Sequence, residues 1–448
     1  VFYNNAIYIQ KEQLMPKLLQ LNSLGSISRG CIAVGIGCIR SIRHSIPDAE
    51  ITIWSPRATN DKIWETYSAK VIQHPWANRK KSELLTLISS FFRVSFDLSR
   101  CVLSRFARII NKNIIPPYHD YDIVIDPTMD GINDRHYGVR IVLRNLMFVY
   151  LTQLIVRKPM ALVPMSIGPL DNKLVKSFAK HVLNKERVIT VRGKVSEEYL
   201  KNIGVTLPKI YLAADLAFLL EPADSAIINK IMKLEGVIKG EKPIIGISPS
   251  QEMGDWMFSE EGDKKRKREC YLKLMAAITD YIIESYNSKV YFVPNSIEDP
   301  YYGGTTDSIA GQNIINYVKN KEEVKIISSE YRAEEIKGVI GQFDMFISCR
   351  MHAAIASTSM HIPTVAIAYG TKFNDVIGGT MNQQKCIVNV DDAEFNQVLF
   401  KLKSTIAYVW NNRSNIKAEL EVREKDAREG ALLYGKLVKQ LIADTKKG

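Results

Sequence analysis

Short apolar runs rich in Val and Ile alternate with longer amphipathic runs along almost the whole chain. "PKLLQLN", "CIAVGIGCIRSIRHS" and "EITIWS" open the series as strand, helix, strand. The alternation resumes with "YDIVIDP", "GVRIVLRNLMFVYLTQLIV", "MALVPMSIG", "KLVKSFAKHVL", "RVITVRG", "VSEEYLKNIG" and "KIYLAAD". Strands that are apolar throughout, joined by helices, imply a parallel sheet covered on both faces.

A second series starts at "PIIGISPS" and runs through "YLKLMAAITDYIIESY", "KVYFVPN", "VKIISS", "DMFISC", "HAAIASTSM", "TVAIAY" and "KCIVNV". The polar, helix-prone stretch between the two series has a proline at each side, which sets a boundary near residue 222. The expected division is therefore 1–222 and 223–448, each an α/β unit, the second carrying charged amphipathic C-terminal helices. A length of 448 residues allows each half its own core.

Residues 82 to 113, an insertion in the first unit, break the alternation with aromatic and aliphatic bulk interrupted by Arg93, Arg100, Arg105 and Arg108. The segment is too polar to span a bilayer. It reads either as a helix in the headgroup layer of an anionic membrane or as a core-packed helical hairpin.

The balance of 60 Lys+Arg against 48 Asp+Glu gives a net charge of +12, which favours anionic partners. The basic residues are scattered and no nucleic-acid-binding signature accompanies them, so a small anionic substrate or a membrane surface is expected rather than nucleic acid. Cys31, Cys38, Cys101, Cys270, Cys349 and Cys386 occur singly, without the spacing of a zinc site or a disulfide framework. The expectation is a cytoplasmic protein, peripheral at most at the inner face of the membrane, with no metal.

"DMFISC" and "HAAIASTSM" put Arg350 and His352 on the turn from a central strand into a helix. In open α/β sheets ligands bind outside the carboxyl ends of strands, against helix N-termini that favour anions. Arg350 offers a planar fork for an oxyanion, and His352 a proton donor or acceptor near neutral pH. The alternative for His352 is a helix-start histidine satisfied by the backbone, and His361 reads as a loop residue. Arg192 ends the strand "RVITVRG" in the first half, as a second cleft arginine or as an ordinary ion-paired one. Asp126 and Asp215 stand at strand ends, open to substrate contact, turn formation or capping. "LGSISRG" lacks the endings of a P-loop or a dinucleotide site, so neither ATP nor NAD is expected.

"SCRMHAAIASTSMHIPTVAIAYGTK" resembles the signature of the polysaccharide pyruvyl transferase family, and "NSLGSISRGCIAV", "MSIGPL", "VITVRG" and "AADLAFLL" resemble its other motifs in order along the chain. The resemblance implies two Rossmann-like domains facing across a cleft, as in GT-B glycosyltransferases. It implies transfer of pyruvate from phosphoenolpyruvate to a sugar, or to its lipid-linked precursor, as a ketal bridging two hydroxyls. His352, Arg350 and Arg192 would be the catalytic set, the arginines clamping the donor. Arg29, Asp126, Asp215, Ser250, Asn295, Tyr369 and Lys372 would contact substrate, with phosphoenolpyruvate as a substrate and no separate cofactor. "PTMDGINDRHYG", with Asp130, and Asn295 depart from the family pattern. A nucleotide-sugar glycosyltransferase, with Asp375 as a ribose ligand, and a non-catalytic sugar-binding protein are the alternatives.

Overall fold

The computed structural model describes residues 15–21, 28–55, 58, 61–74, 120–127, 131–240, 242–258, 262–296, 306–328, 330–391 and 393–447. The arginine-studded segment at 82–113 and Asp130 lie outside them.

Two parallel sheets form. The first contains β1 Lys17–Gln20, β2 Glu50–Ser55, β3 Lys70–Gln73, β4 Ile123–Asp126, β5 Met160–Met165, β6 Val188–Val191 and β7 Lys209–Leu212, in spatial order β3-β2-β1-β4-β5-β6-β7. The second contains β8 Ile244–Ser248, β9 Lys289–Phe292, β10 Val324–Ile326, β11 Met345–Ser348, β12 Thr364–Ala368 and β13 Ile387–Asn389, ordered β10-β9-β8-β11-β12-β13. Every pairing between these strands is parallel, and β1, β4, β8 and β11 are buried along almost their whole length. Helices on both faces remove water from both sides, which is why these strands are uniformly apolar rather than alternating.

Chain direction across each sheet reverses once, between β1 and β4 in the first and between β8 and β11 in the second. Diverging crossovers open a crevice at such a point. The chain segments leaving β1 and β4 meet those leaving β8 and β11, so the two crevices form one cleft.

The C-terminal helix Arg413–Lys447 holds the halves together. Near its start Glu419 accepts a hydrogen bond from Gln383 Nε2 at 2.8 Å, in the second half. Further on Tyr434 OH donates to the carbonyl of Ala161 in β5 at 3.2 Å, and Ser41 Oγ donates to Ala431 O at 2.8 Å. A β-carbon on Gly435 would fall 1.8 Å from Ser41 O, so only glycine lets this helix lie against the helix Arg29–Ser45. Leu420, Ala431, Tyr434 and Val438 are fully buried, each large side chain contributing about 1.5–3 kcal/mol. A sequence division at 222 groups this helix with the second half, but its buried face lies largely on the first.

Candidate active site

The cleft encloses about 810 Å³. Ser28, Cys31, His136 and Asn145 line it from the first half, and Glu252, Trp256, Arg350, His352, Tyr369 and Lys372 from the second.

Arg350 caps the helix Met351–Thr358 just beyond β11, where an eight-residue helix with small side chains packs close to the sheet. Its guanidinium is already engaged. Nε and Nη2 donate to Asp307 Oδ1 at 3.2 and 2.7 Å, and Nη1 donates to Glu252 at 3.1 Å. Burial lowers its pKa, but Asp307 and Glu252 outweigh that and hold it above the ordinary arginine value. The two carboxylates are not equivalent. Asp307 is wholly buried, and its other oxygen accepts from the backbone N–H groups of Asn295 and Ser296. Glu252 has a side chain 44% exposed, so it can rotate into water and release Nη1.

His352 follows two residues later, in the first turn of the same helix. Its Nε2 lies 3.9 Å from Asp215 Oδ2, a carboxylate from the first half. Asp215 caps the short helix Leu216–Leu219 through Ala217 N at 2.9 Å and pairs with Arg192 Nη1 at 2.5 Å. The Asp215 and Arg192 side chains are each 1% exposed, so water screens neither charge. The imidazole therefore faces a fixed negative group held by a fixed positive one. Gly30 presses from the first half: a β-carbon there would sit 2.3 Å from His352 Nδ1. No residue but glycine fits while the ring keeps this position.

Three rings stack across the cleft. His136 lies 4.3 Å from Trp256 and 5.1 Å from Tyr369, with interplanar angles of 18° and 15°. Lys372 Nζ is 3.5 Å from Tyr137 OH and 6.0 Å from the Tyr369 ring centre. Its positive charge thus stands at the cleft wall.

Several sequence-based expectations need correction. Arg192 does not face Arg350 over a shared ligand; it is buried behind His352, bound to Asp215 and to Ser166 Oγ at 3.2 Å. Arg29 is buried and is not among the residues that line the cleft. Its guanidinium crosses between the halves and donates to Tyr331 O at 3.0 and 2.9 Å and to Pro294 O, and burial lowers its pKa to about 10. Asp126 is 1% exposed and faces the buried Glu186 inside the first half, away from the cleft. Glu186 itself is held above the usual carboxyl range by burial and then by Asp126. Ser250 is buried, its N–H bonded to Tyr271 OH at 2.8 Å. Asp375, the candidate ribose ligand, is not among the residues that line the cleft: it is pressed on Gly193, whose added β-carbon would lie 2.0 Å from its Cγ. Burial pushes its carboxyl up to about 6, with Arg192 pulling the other way.

Asn295, Tyr369 and Lys372 do line the cleft, and Asp215 reaches His352 from behind. Glu252, Trp256, Asp307 and His136 were missed. The segment Gln251–Trp256 directly follows the end of β8, so its position one strand over from Arg350 was the available signal.

Two Rossmann-like sheets with their switch points facing across a cleft define a GT-B-like fold. A glycosyltransferase from Rickettsia africae ESF-5 superposes with a TM-score of 0.57 at 14% identity, covering 97% of this chain and 100% of that one. Anabaena Alr3699/HepE in complex with UDP and glucose gives 0.57 at 12% identity over 96% and 100%. UDP-GlcNAc 2-epimerase from Neisseria meningitidis gives 0.54 at 10% over 96% and 100%. These likenesses establish the fold alone. The family model described as polysaccharide pyruvyl transferase matches residues 30–371, and the chain belongs to that family. Amylovoran biosynthesis protein AmsJ from Erwinia amylovora is 23% identical over 225 residues, 50% of this chain and 52% of that protein, so the match spans about half the length of this curated relative.

Proposed function

We propose that the cleft transfers pyruvate from phosphoenolpyruvate to two hydroxyls of a sugar in polysaccharide synthesis. The observation that carries this is the placement of His352 between the cleft and Asp215, beside Arg350 with its exchangeable partner Glu252.

The donor carries a carboxylate and a phosphate. Lys372 and the Nη1 edge of Arg350 supply positive charge once Glu252 swings away. Asp307 stays in place and fixes the guanidinium plane. Protonated His352 gives its proton to the methylene carbon, which becomes a methyl group, and the adjacent carbon becomes an oxocarbenium-like electrophile. Asp215 stabilises the imidazolium before transfer. One sugar hydroxyl attacks that carbon and gives up its proton, which the now neutral imidazole can accept. The carbon–oxygen bond to phosphate then breaks, and the phosphate leaves with the bonding electron pair and one proton. The second hydroxyl attacks, its proton is lost, and the ketal closes. One donor and one diol thus yield one ketal and one inorganic phosphate.

Two measurements test it. Phosphoenolpyruvate should raise the melting temperature while nucleotide sugars do not. Turnover in deuterium oxide should place one deuterium in the ketal methyl group, and stabilisation by nucleotide sugars alone would instead favour glycosyl transfer.

A further inference from the structure

The helix Val139–Val156 is long and apolar enough to cross a membrane, yet only about a third of it is buried. Val142, Leu146 and Val149 are buried against the first sheet's unit, which anchors one side of the helix to the domain. The other side is not polar, as an ordinary surface helix would be. Leu143 is 36% and Met147 46% exposed, with exposed Arg140 and Arg144 interleaved at helical spacing. Residues 135 to 158 contain five basic residues and not one Asp or Glu. Ile141 and Asn145 of the same helix line the cleft.

We propose that this outward face docks on an anionic bilayer surface and brings the mouth of the cleft to the lipid. The charge pattern favours lipid over a second copy of the chain. Apolar side chains among arginines, with no Asp or Glu in the helix itself, match an interface of acyl chains and anionic headgroups. Two copies of this face would bring like charges together. The buried inner side keeps the helix with its domain, so it lies in the interface instead of crossing it. The docking stands on this surface alone. It rests on the functional reading only in giving that surface a purpose, the delivery of a lipid-linked sugar to His352.

Co-sedimentation with vesicles tests it. The full chain should pellet with phosphatidylcholine vesicles containing phosphatidylglycerol at low salt, and should stay in solution with phosphatidylcholine alone or at high salt. R140Q/R144Q and M147D should each lower the bound fraction roughly tenfold. All three side chains are exposed, so the variants should melt as the unmodified protein does. Phosphate release with a water-soluble acceptor should be unchanged in them, which separates loss of docking from loss of catalysis. The proposal is overturned if the unmodified chain remains in the supernatant with anionic vesicles at low salt, or if both variants bind as it does. Self-association that M147D abolishes, without vesicle binding, would also overturn it, by assigning the face to a dimer.

Discussion

Asp215 Oδ2 is shared between Arg192, at 2.5 Å, and His352, at 3.9 Å. The arginine and the aspartate come from the first half of the chain and the histidine from the second, so the histidine meets its counter-charge only when the cleft is assembled.

Asp215→Asn should reduce turnover far more than donor binding. The imidazolium loses its counter-charge, so the pKa of His352 falls and the alkaline limb of the rate profile moves to lower pH. Melting temperature must be followed alongside, because breaking the buried Arg192–Asp215 ion pair costs about 3–5 kcal/mol. A profile unchanged in position would remove Asp215 from any role in poising the histidine.

His352→Ala should abolish phosphate release while phosphoenolpyruvate still raises the melting temperature. The side chain is placed for proton transfer, and its removal opens space without disturbing the Arg350–Asp307 pair. Turnover within tenfold of the unmodified enzyme would assign the proton to another group.

Glu252→Gln should lower the KM for phosphoenolpyruvate several-fold with little change in kcat. The carboxylate competes with the donor for Arg350 Nη1, and the exposed side chain contributes about 0–1 kcal/mol to stability. Asp307→Asn should behave oppositely, lowering the melting temperature, since Asp307 is buried and holds both Arg350 and two backbone N–H groups. A raised KM in Glu252→Gln would show that the glutamate helps the donor instead of blocking it.

Asp375→Asn should stabilise the protein above pH 6 and not below pH 4. Its carboxyl is raised to about 6 from an ordinary 3.8, so the folded state holds the proton more tightly than the unfolded chain. The stabilising contribution is full below the unfolded value and is lost as pH rises through the folded one. Thermal melts of both proteins from about pH 3 to 8 check this, and a constant difference across that range would contradict it.

Much of this molecule was legible from its strands. The apolar runs that became β8 and β11 were readable because parallel strands buried on both faces cannot tolerate polar residues, and the turn bearing Arg350 and His352 followed from the change of period at Cys349. Arg29 was misread, and Arg192 proved to be the ion-paired one of its two readings, for one reason: a guanidinium looks the same in a sequence whether a ligand or a neighbouring carbonyl or carboxylate takes its protons.

The sequence by itself determined two parallel α/β units and the position of the turn that faces the cleft, because periodicity and strand ends are local properties. Only the tertiary structure decided which charges meet. Asp307 is 43 residues from Arg350 and Glu252 is 98, and they converge because β8, which leads to Glu252, lies beside β11, and β9, which leads to Asp307, lies beside β8. Asp215 reaches His352 only because the two halves pack across the cleft. Electrostatic partnership depends on distance in space, and spatial order of strands and docking of domains are fixed by burial of the whole core, not by any neighbouring stretch of chain.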